Sequence, residues 1–264
     1  MQHLVFQLLA PLASWGGVAV GEYRGTHDYP GESALLGLLA AALGVRRDDE
    51  AAHAALRDGY GFAVGVLSTG TLLRDYHTAQ VPGRAALKGR PHATRRDELA
   101  VPKRDLNTIL STRDYRQNAA CLVAVQCRVN SSGSQAPHPL EALAQALRTP
   151  KFVLYLGRKS CPPAAPLAPS VIESPSAQAA FAAYAQARAA RLQALAVGTK
   201  LPEEPLAPIV RLAWGDGVEA GAQPDLSVTR TDRVIRRKSW QFGDRIEHSK
   251  LMQVAARPPL IDAD

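Results

Sequence analysis

A glycine turn followed by two cations is the first feature with recognisable chemistry. An apolar run from Lys151 to Leu156 stops at Gly157, and Arg158 and Lys159 follow before two prolines. The pattern predicts a buried strand over this run that lifts both cations to one edge of a sheet. Glycine allows close backbone approach to a ligand, and exposed amides beside two cations suit a phosphate. The alternative is a strand-ending turn with two solvated cations.

A repeated Arg-Asp-Tyr triplet, at residues 74–76 and 113–115, is the second feature. In a strand, alternation places Arg74 and Tyr76 on one face, and Asp75 and His77 on the other. A tyrosine can stack on a base while an arginine pairs with a phosphate, as on sheet surfaces that bind single-stranded RNA. The alternatives are a strand edge with an Asp–His pair and a coincidental repeat of solvated charges.

The positive charge of the chain is concentrated between these triplets. The net charge is +7, yet residues 1–83 hold five arginines against eight acids, and residues 84–116 hold nine Lys or Arg against four. Apolar periodicity disappears from Val81 to Asn107, which is rich in Arg, Lys, Gly and Pro and too long for a simple connection. This distribution favours a polyanionic partner and a functional insertion.

The elements that must position these residues follow from apolar periodicity. The predicted strands are 3–10, 60–67, 72–78, 119–129 and 151–156, with Gly70 in a turn. The predicted helices are 34–43, 48–58 and 139–148, the first with Ser33 as N-cap and Gly44 as C-cap. The resulting order is close to β-α-β-β-α-β, the ferredoxin-like arrangement. Beyond it lie an alanine-rich helix over 176–197, short strands and a basic tail over 228–250.

Several classes of protein find no support in the sequence. The three cysteines form no Cys-x-x-Cys pair and read as reduced thiols of a cytosolic protein. The histidines have no metal-ligand spacing, and no phosphate loop or dinucleotide fingerprint occurs, so neither metal nor cofactor is expected. No apolar run is long enough to span a bilayer, and the first residues read as a strand. The expectation is a soluble, cytoplasmic protein without a membrane partner.

The motifs together resemble the CasD family, subunits of the type I-E Cascade complex of CRISPR immunity. They comprise Leu8-Leu-Ala-Pro-Leu-Ala-Ser-Trp-Gly16, Leu35-Leu-Gly-Leu-Leu39, Leu43-Gly44, Arg47-Asp-Asp49, Leu73-Arg-Asp-Tyr-His-Thr78, Arg113-Asp-Tyr115 with Ala119, Tyr155-Leu-Gly-Arg-Lys-Ser-Cys-Pro162, and the pair Phe242 and Arg245. Each motif is weak alone, whereas their order and spacing are specific.

The resemblance implies an α+β fold: a ferredoxin-like (RRM-like) core of the repeat-associated (RAMP) superfamily with a protruding basic thumb. The expected division is an RNA-binding domain over 1–160, with the thumb at about 81–107, and a smaller β-rich region over 161–264. Such proteins grip the 5′ handle of the CRISPR RNA and cap one end of the complex. The implied partners are this RNA, the backbone and large Cascade subunits, and target DNA through the complex.

Carried over residue by residue, the resemblance also implies a set of RNA contacts. Those expected in the core are Trp15, Arg74, Tyr76, His77, Arg113, Tyr115, Arg116, Gly157, Arg158 and Lys159. Those expected in the thumb are Arg84, Lys88, Arg90, Arg95, Arg96, Lys103 and Arg104. One position departs from the pattern, because relatives often carry a basic residue where this chain has Glu32. A phosphate contact from that position is therefore not expected, although Ser33 could still cap the helix or bond RNA.

Two other functions stay open at this point. Relatives in other type I systems cut the precursor RNA, which needs a base, an acid and a cation. His77, Tyr76 and Lys103 could supply these groups, with His92 as another base. In type I-E systems a separate subunit cuts, so the resemblance implies non-catalytic RNA binding, with a metal-independent endoribonuclease as the alternative. A generic basic RNA-binding or ribosome-associated protein is the third reading.

Overall fold

The computed structural model describes residues 1–17, 19, 21–128, 136–196, 206–237, 239 and 241–253. The strands are β1 (Gln2–Ala13), β2 (Tyr23–Arg24), β3 (Tyr60–Ser68), β4 (Thr71–Pro82), β5 (Leu106–Cys127), β6 (Ser170–Glu173), β7 (Arg211–Gly215), β8 (Leu226–Arg236) and β9 (Gln241–Leu251). The helices are α1 (Glu32–Leu43), α2 (Glu50–Gly59), α3 (Arg95–Leu99), α4 (Leu140–Arg148) and α5 (Ala177–Ala196), with a 3-10 turn at Lys103–Asp105. The predicted α+β class is confirmed.

The nine strands of the described residues belong to one sheet. Strands β6, β1, β5, β3, β7, β9 and β8 lie side by side in that order, while β2 and β4 pair with β5. Every pair is antiparallel except β2 with β5. Strands β1, β5 and β3 form the centre of the sheet, where helices cover both faces.

Alternation along β1 divides the core into two layers. Leu4 and Phe6 point to the face covered by α1, α2 and α4, and Val5 points to the face covered by α5. On that second face, Phe181 and Tyr184 of α5 pack against the sheet. The period of two in the strand therefore supplies apolar side chains to both layers.

Strand β4 continues along β5 instead of turning back on β3, which corrects the predicted turn at Gly70. Strands β3 and β4 both pair antiparallel with β5, in the same direction. Gly70 has a φ of +66°, and a Cβ atom there would lie 2.2 Å from the Gln117 carbonyl oxygen. The glycine therefore permits a bulge. Strand β5 begins at Leu106, well before the predicted start at residue 119.

The strand predicted over 151–156 does not form. The edge of β1 that it would need is taken by β6, and by the Leu167 carbonyl, which accepts a hydrogen bond from the Gln7 amide. Within the segment, Leu154 is buried, but Val153 is 84% exposed. The apolar run is thus an extended segment outside the sheet, anchored by part of its side chains.

The C-terminal part of the chain completes this sheet. Strand β6 pairs with β1, and β7 pairs with β3 and leads to the β9–β8 hairpin. The expected division at residue 160 therefore does not separate two sheets. Within the basic tail, Lys238 and Trp240 lie outside the described residues.

Helix α1 begins earlier than predicted. Its N-cap is Gly31, so Ser33 lies in the first turn and is not the cap. The Glu32 amide instead donates to Oδ2 of Asp232 on β8, at 3.0 Å. A distant carboxylate thus satisfies a helix end that the sequence assigned to a local serine. The predicted C-cap is confirmed, since Gly44 has a φ of 79°.

The cysteines are free thiols, with Cys121 and Cys161 buried and Cys127 exposed. Burial raises the pKa of Cys121 to about 12. Among the described residues, no group of three or more His, Cys, Asp or Glu side chains could hold a metal ion. No helix in that part of the chain combines the length and apolarity needed to cross a membrane.

Candidate nucleic-acid interface

A two-stranded ribbon carries both Arg-Asp-Tyr triplets. Strand β4 pairs with the first half of β5, and Arg74 lies opposite Asp114 while Tyr76 lies opposite Thr112. On the other face, Asp75 lies opposite Arg113. The alternation predicted for the first triplet is confirmed. We call the first surface the Arg74 face and the second the Arg113 face.

A buried carboxylate organises the Arg74 face. Asp114 is 2% exposed and accepts from Nε of Arg74 at 2.9 Å and from its Nη2 at 3.1 Å. The hydroxyl of Tyr23, on neighbouring β2, donates to Oδ2 of Asp114 at 2.6 Å. The guanidinium also lies over the Tyr23 ring, 5.6 Å from its centroid. Tyr76, on the same face, is 66% exposed.

These contacts fix the charge state of the cluster. The hydrogen bond from Arg74, supported by one from Tyr23, holds the pKa of Asp114 below its usual range. The same carboxylate raises the pKa of the Arg74 guanidinium and of the Tyr23 hydroxyl. Asp114 therefore stays ionised and offsets the positive charge of Arg74. The face offers a positioned guanidinium and two tyrosine rings rather than an unpaired cation.

The Arg113 face is less open. Arg113 donates from Nε to Oγ of Ser111 at 3.3 Å, and Nδ1 of His77 lies 3.9 Å from Oδ2 of Asp75. Tyr115, from the same face, is buried, and the Arg158 guanidinium lies 4.5 Å from its ring centroid. The predicted contacts are thus divided between the two faces of the ribbon.

The Gly157 turn packs against the base of the ribbon. Gly157 has a φ of +90°, and a Cβ atom there would lie 1.7 Å from the Ser14 carbonyl oxygen. The close approach that we expected toward a ligand is therefore made to the protein backbone. Arg158 donates from its two Nη atoms to the carbonyls of Asp114 and Arg24, each at 3.1 Å. Lys159 is exposed and makes no hydrogen bond or ion pair with the described residues.

We expect Gly157→Ala to destabilise the protein by about 2–5 kcal/mol, because it combines left-handed strain with a backbone clash. Gly217→Ala is the matched control, since Gly217 also has a positive φ, +73°, but no atom lies within 4 Å of an added Cβ. That control should cost about 1–2 kcal/mol. Denaturant unfolding measures both, and equal costs would contradict the packing described for this turn.

The predicted basic insertion forms the tip of the ribbon. Strand pairing ends at Pro82 and Leu106, so residues 83–105 form the tip, with seven Lys or Arg against three acids. Arg90 donates to the Ala100 carbonyl, and Arg95 forms an ion pair with Glu98. Five tip cations are exposed and have no hydrogen bond or ion pair with the described residues. These are Arg84, Lys88, Arg96, Lys103 and Arg104.

Two other predicted contacts have structural roles. Trp15 is buried in the core, with its backbone bridged to His27, so its ring has no free face for a base. Arg116 is mostly buried and forms an ion pair with Asp28, which also faces Arg211 at 3.5 Å. Neither side chain can reach a ligand without giving up these contacts.

The unusual Glu32 belongs to an internal cluster of charges. It is buried, with Oε2 3.4 Å from Arg128 and 4.0 Å from Arg245. Arg245 also contacts Asp232 at 2.6 Å and Glu247 at 2.7 Å. Glu32, Arg128 and Arg245 line a cavity of about 270 Å³, and the cluster joins α1 to the β8–β9 hairpin. Glu32 therefore has a structural role in the packing of α1 against the hairpin.

Comparison with known proteins identifies the family. Residues 3–246 match the family model described as CRISPR-associated protein (Cas_Cas5). The match covers most of the chain, so this chain belongs to the Cas5 family of CRISPR-associated proteins.

The chain is also similar to a named subunit and to solved structures. It is 31% identical over 195 residues to the CRISPR system Cascade subunit CasD of Escherichia coli (strain K12), covering 69% of this chain and 76% of that protein. A chain of a CRISPR RNA-guided surveillance complex matches with a TM-score of 0.59 and 25% identity over 98% of this chain and 95% of that one. A Cas protein crystal structure, 24% identical with a TM-score of 0.51 over 94% of both chains, shares the fold. The resemblance read from the sequence is confirmed.

Sequence reasoning missed two members of the Arg74 face. In the sequence, Asp114 stands out only as part of the repeated triplet, and Tyr23 does not stand out at all. The signal for Asp114 was the repeat itself, because antiparallel pairing of two Arg-Asp-Tyr triplets can bring an arginine opposite an aspartate. Tyr23 had no local signal, since its strand has only two residues.

Proposed function

We propose that this chain is a non-catalytic RNA-binding subunit of a type I-E Cascade complex. It grips the 5′ handle of the CRISPR RNA and caps one end of the assembly. The observation that carries the proposal is the ribbon. Its tip presents five exposed cations that have no partner among the described residues, and its Arg74 face presents exposed Tyr76 beside a fixed guanidinium. Cations that track phosphates and rings that stack on bases are the two requirements for holding single-stranded RNA.

The architecture supports a ferredoxin-like core with a protruding thumb. Strand β1, helices α1 and α2, strands β3 and β5, helix α4 and strand β6 follow one another in the β-α-β-β-α-β order. In this assignment the fourth strand is β6. The ribbon tip over 83–105 would be the thumb.

The positions of the candidate catalytic groups favour a scaffold over a nuclease. Tyr76 and His77 are consecutive in β4 and lie on opposite faces of the ribbon. Lys103 lies beyond the last strand pair, which is about 17 Å along the ribbon from His77. His92, in the tip, has its Nδ1 3.0 Å from the Arg90 carbonyl oxygen. These groups do not converge on one phosphate.

The partners follow from the same proposal. The CRISPR RNA is the direct ligand, and the backbone and large subunits of the complex are the protein partners. The chain contacts target DNA only through the assembled complex, and the complex acts in the cytoplasm. The similarity to a Cascade subunit and to a chain of a surveillance complex supports this assignment.

The proposal is tested by incubating the purified chain with repeat-containing precursor RNA, with and without EDTA. A binding shift and a cleavage gel are run on the same samples. We expect a handle-dependent shift and intact RNA in both conditions. Cleavage that survives EDTA would replace the scaffold with a metal-independent endoribonuclease. Equal binding to unrelated RNA would favour a generic RNA-binding protein.

Lys159 provides a sharper test of the Gly157 turn. Lys159→Gln should reduce the slope of log affinity against log salt by about 0.7, the value for one contact with a single strand. Arg158→Gln should instead lower the thermal stability, because Arg158 is bonded to two backbone carbonyls. Affinity titrations at several salt concentrations, with melting curves for both variants, decide this. An unchanged slope for Lys159→Gln would show that the Gly157 turn does not contact an RNA phosphate.

A further inference from the structure

Exposed aromatic side chains of the described residues occur in two pairs. Tyr23 and Tyr76 lie on the Arg74 face, with exposed fractions of 46% and 66%. Phe152 and Tyr155 lie in the extended segment before Gly157, with exposed fractions of 47% and 40%. The second pair belongs to the apolar run that the sequence assigned to a buried strand.

Arg158 connects the second pair to the base of the ribbon. It follows Gly157 directly after the Phe152–Leu156 segment, lies over the Tyr115 ring on the Arg113 face and donates to the carbonyls of Asp114 and Arg24. The second pair therefore lies next to the Gly157 turn at the base of the ribbon, whereas Tyr23 and Tyr76 lie on the Arg74 face.

Exposed cations accompany both pairs. Arg74 lies beside Tyr23 and Tyr76, and Lys151 and Lys159 lie on either side of the second pair in sequence. Interleaved cations and rings are typical of surfaces that track a single strand of nucleic acid.

The backbone holds the second pair in place. The amides of Lys151 and Phe152 donate to carbonyls in the last turn of α1, at 3.0 and 3.1 Å. The buried side chains of Leu154 and Leu156 anchor the segment from below. Phe152 and Tyr155 are thus presented outward from a fixed segment, which reduces the entropy that a ligand must remove on binding.

We infer that Phe152 and Tyr155 form a stacking platform for bases of single-stranded RNA, extending the RNA path beyond the Gly157 turn. The inference rests on the proposed function and adds a binding site to it. Stacking on a base requires an aromatic ring, whereas docking of another protein subunit requires only apolar area. This difference distinguishes the two uses of the surface. Val153, 84% exposed between the two rings, would be central to an apolar protein interface but cannot stack on a base.

The test uses the full chain and repeat-derived RNA with 2-aminopurine placed at successive handle positions. The variant is Phe152→Leu with Tyr155→Leu, the matched control is Val153→Ala, and the conservative variant is Phe152→Tyr with Tyr155→Phe. We expect the leucine variant to bind roughly 5- to 100-fold more weakly with an unchanged salt slope. Quenching should be lost at particular positions. The control and the conservative variant should bind like the wild type.

The outcomes separate this inference from the proposed function. If the wild type fails to bind the RNA, both the proposed function and the stacking platform are overturned. If the wild type binds and the leucine variant binds and quenches equally, only the platform is overturned. If Val153→Ala and the leucine variant both retain RNA affinity but lose assembly with the other subunits, the surface is a protein interface and the platform is overturned. Melting curves establish that each variant is folded.

Discussion

Replacing the five unpaired tip cations with glutamine is expected to weaken RNA binding by about 100- to 1,000-fold near physiological salt. Each phosphate contact with a single strand contributes about 0.7 to the slope of log affinity against log salt, so five contacts contribute about 3.5. The side chains are exposed and make no hydrogen bond or ion pair with the described residues, so the melting temperature should stay unchanged. Titrations at several salt concentrations measure both the affinity and the slope.

The control for this variant lies on helix α5, which packs on β1, β3, β5 and β6. Arg191→Gln removes one exposed charge from α5, which packs on the face of the sheet away from α1. It should leave the slope unchanged, whereas Lys103→Gln alone should reduce it by about 0.7. A five-site variant that keeps the wild-type slope would show that the tip does not contact the RNA backbone.

Replacing Arg245 with methionine is expected to destabilise the protein by about 3–5 kcal/mol. Arg245 is only 7% exposed and pairs with Asp232 and Glu247, so its loss removes the most buried cation from a cluster of carboxylates. For a chain of this size the melting temperature should fall by about 10 °C. Denaturant unfolding and thermal melting measure the effect.

This destabilisation should depend on pH. Burial alone would raise the pKa of Glu247, but Arg245, Tyr29 and Arg230 hold it below its ordinary value. In the wild type this contribution is present above the unfolded pKa and is lost as the pH falls through the folded pKa. In the variant Glu247 keeps Arg230 and Tyr29 but loses the Arg245 cation, so its ionised form is stabilised less than in the wild type.

Glu32 contributes to the same pH dependence. Burial already raises its pKa in the wild type, and loss of the Arg245 cation favours its protonated form further. The difference in unfolding free energy between wild type and Arg245→Met should therefore be largest near pH 7 and narrow as the pH falls into the range where the buried carboxylates take up protons. Arg245→Lys, which keeps the charge, should lose less stability at pH 7. A difference that is constant with pH would contradict the charge network and leave only a loss of packing.

The parts of the site that could be predicted are those set by local pattern. Alternation was enough to place Arg74 and Tyr76 on one face, because a strand has a period of two wherever it pairs. The boundaries 81 and 107 nearly coincide with the last strand pair, since apolar periodicity disappears where pairing ends. Charge segregation identified the tip without any knowledge of its conformation.

The parts that could not be predicted depend on remote segments of the chain. The run over 151–156 has the composition of a strand, but β6 takes the edge of β1. Glu32 is buried because Arg245, more than two hundred residues away, accompanies it. Burial of Asp114 required the register of β4 on β5 and the position of β2. Local sequence patterns do not indicate which of two distant segments pairs with a given strand edge.

The most direct test of the central claim is a competition titration of the purified chain. RNA carrying the repeat-derived 5′ handle is compared with RNA of the same length and composition whose handle is scrambled, using the wild type and the five-site tip variant. We predict a clear preference of the wild type for the intact handle and a large loss of affinity in the variant for both RNAs. Equal affinity of the wild type for the two RNAs would contradict the account.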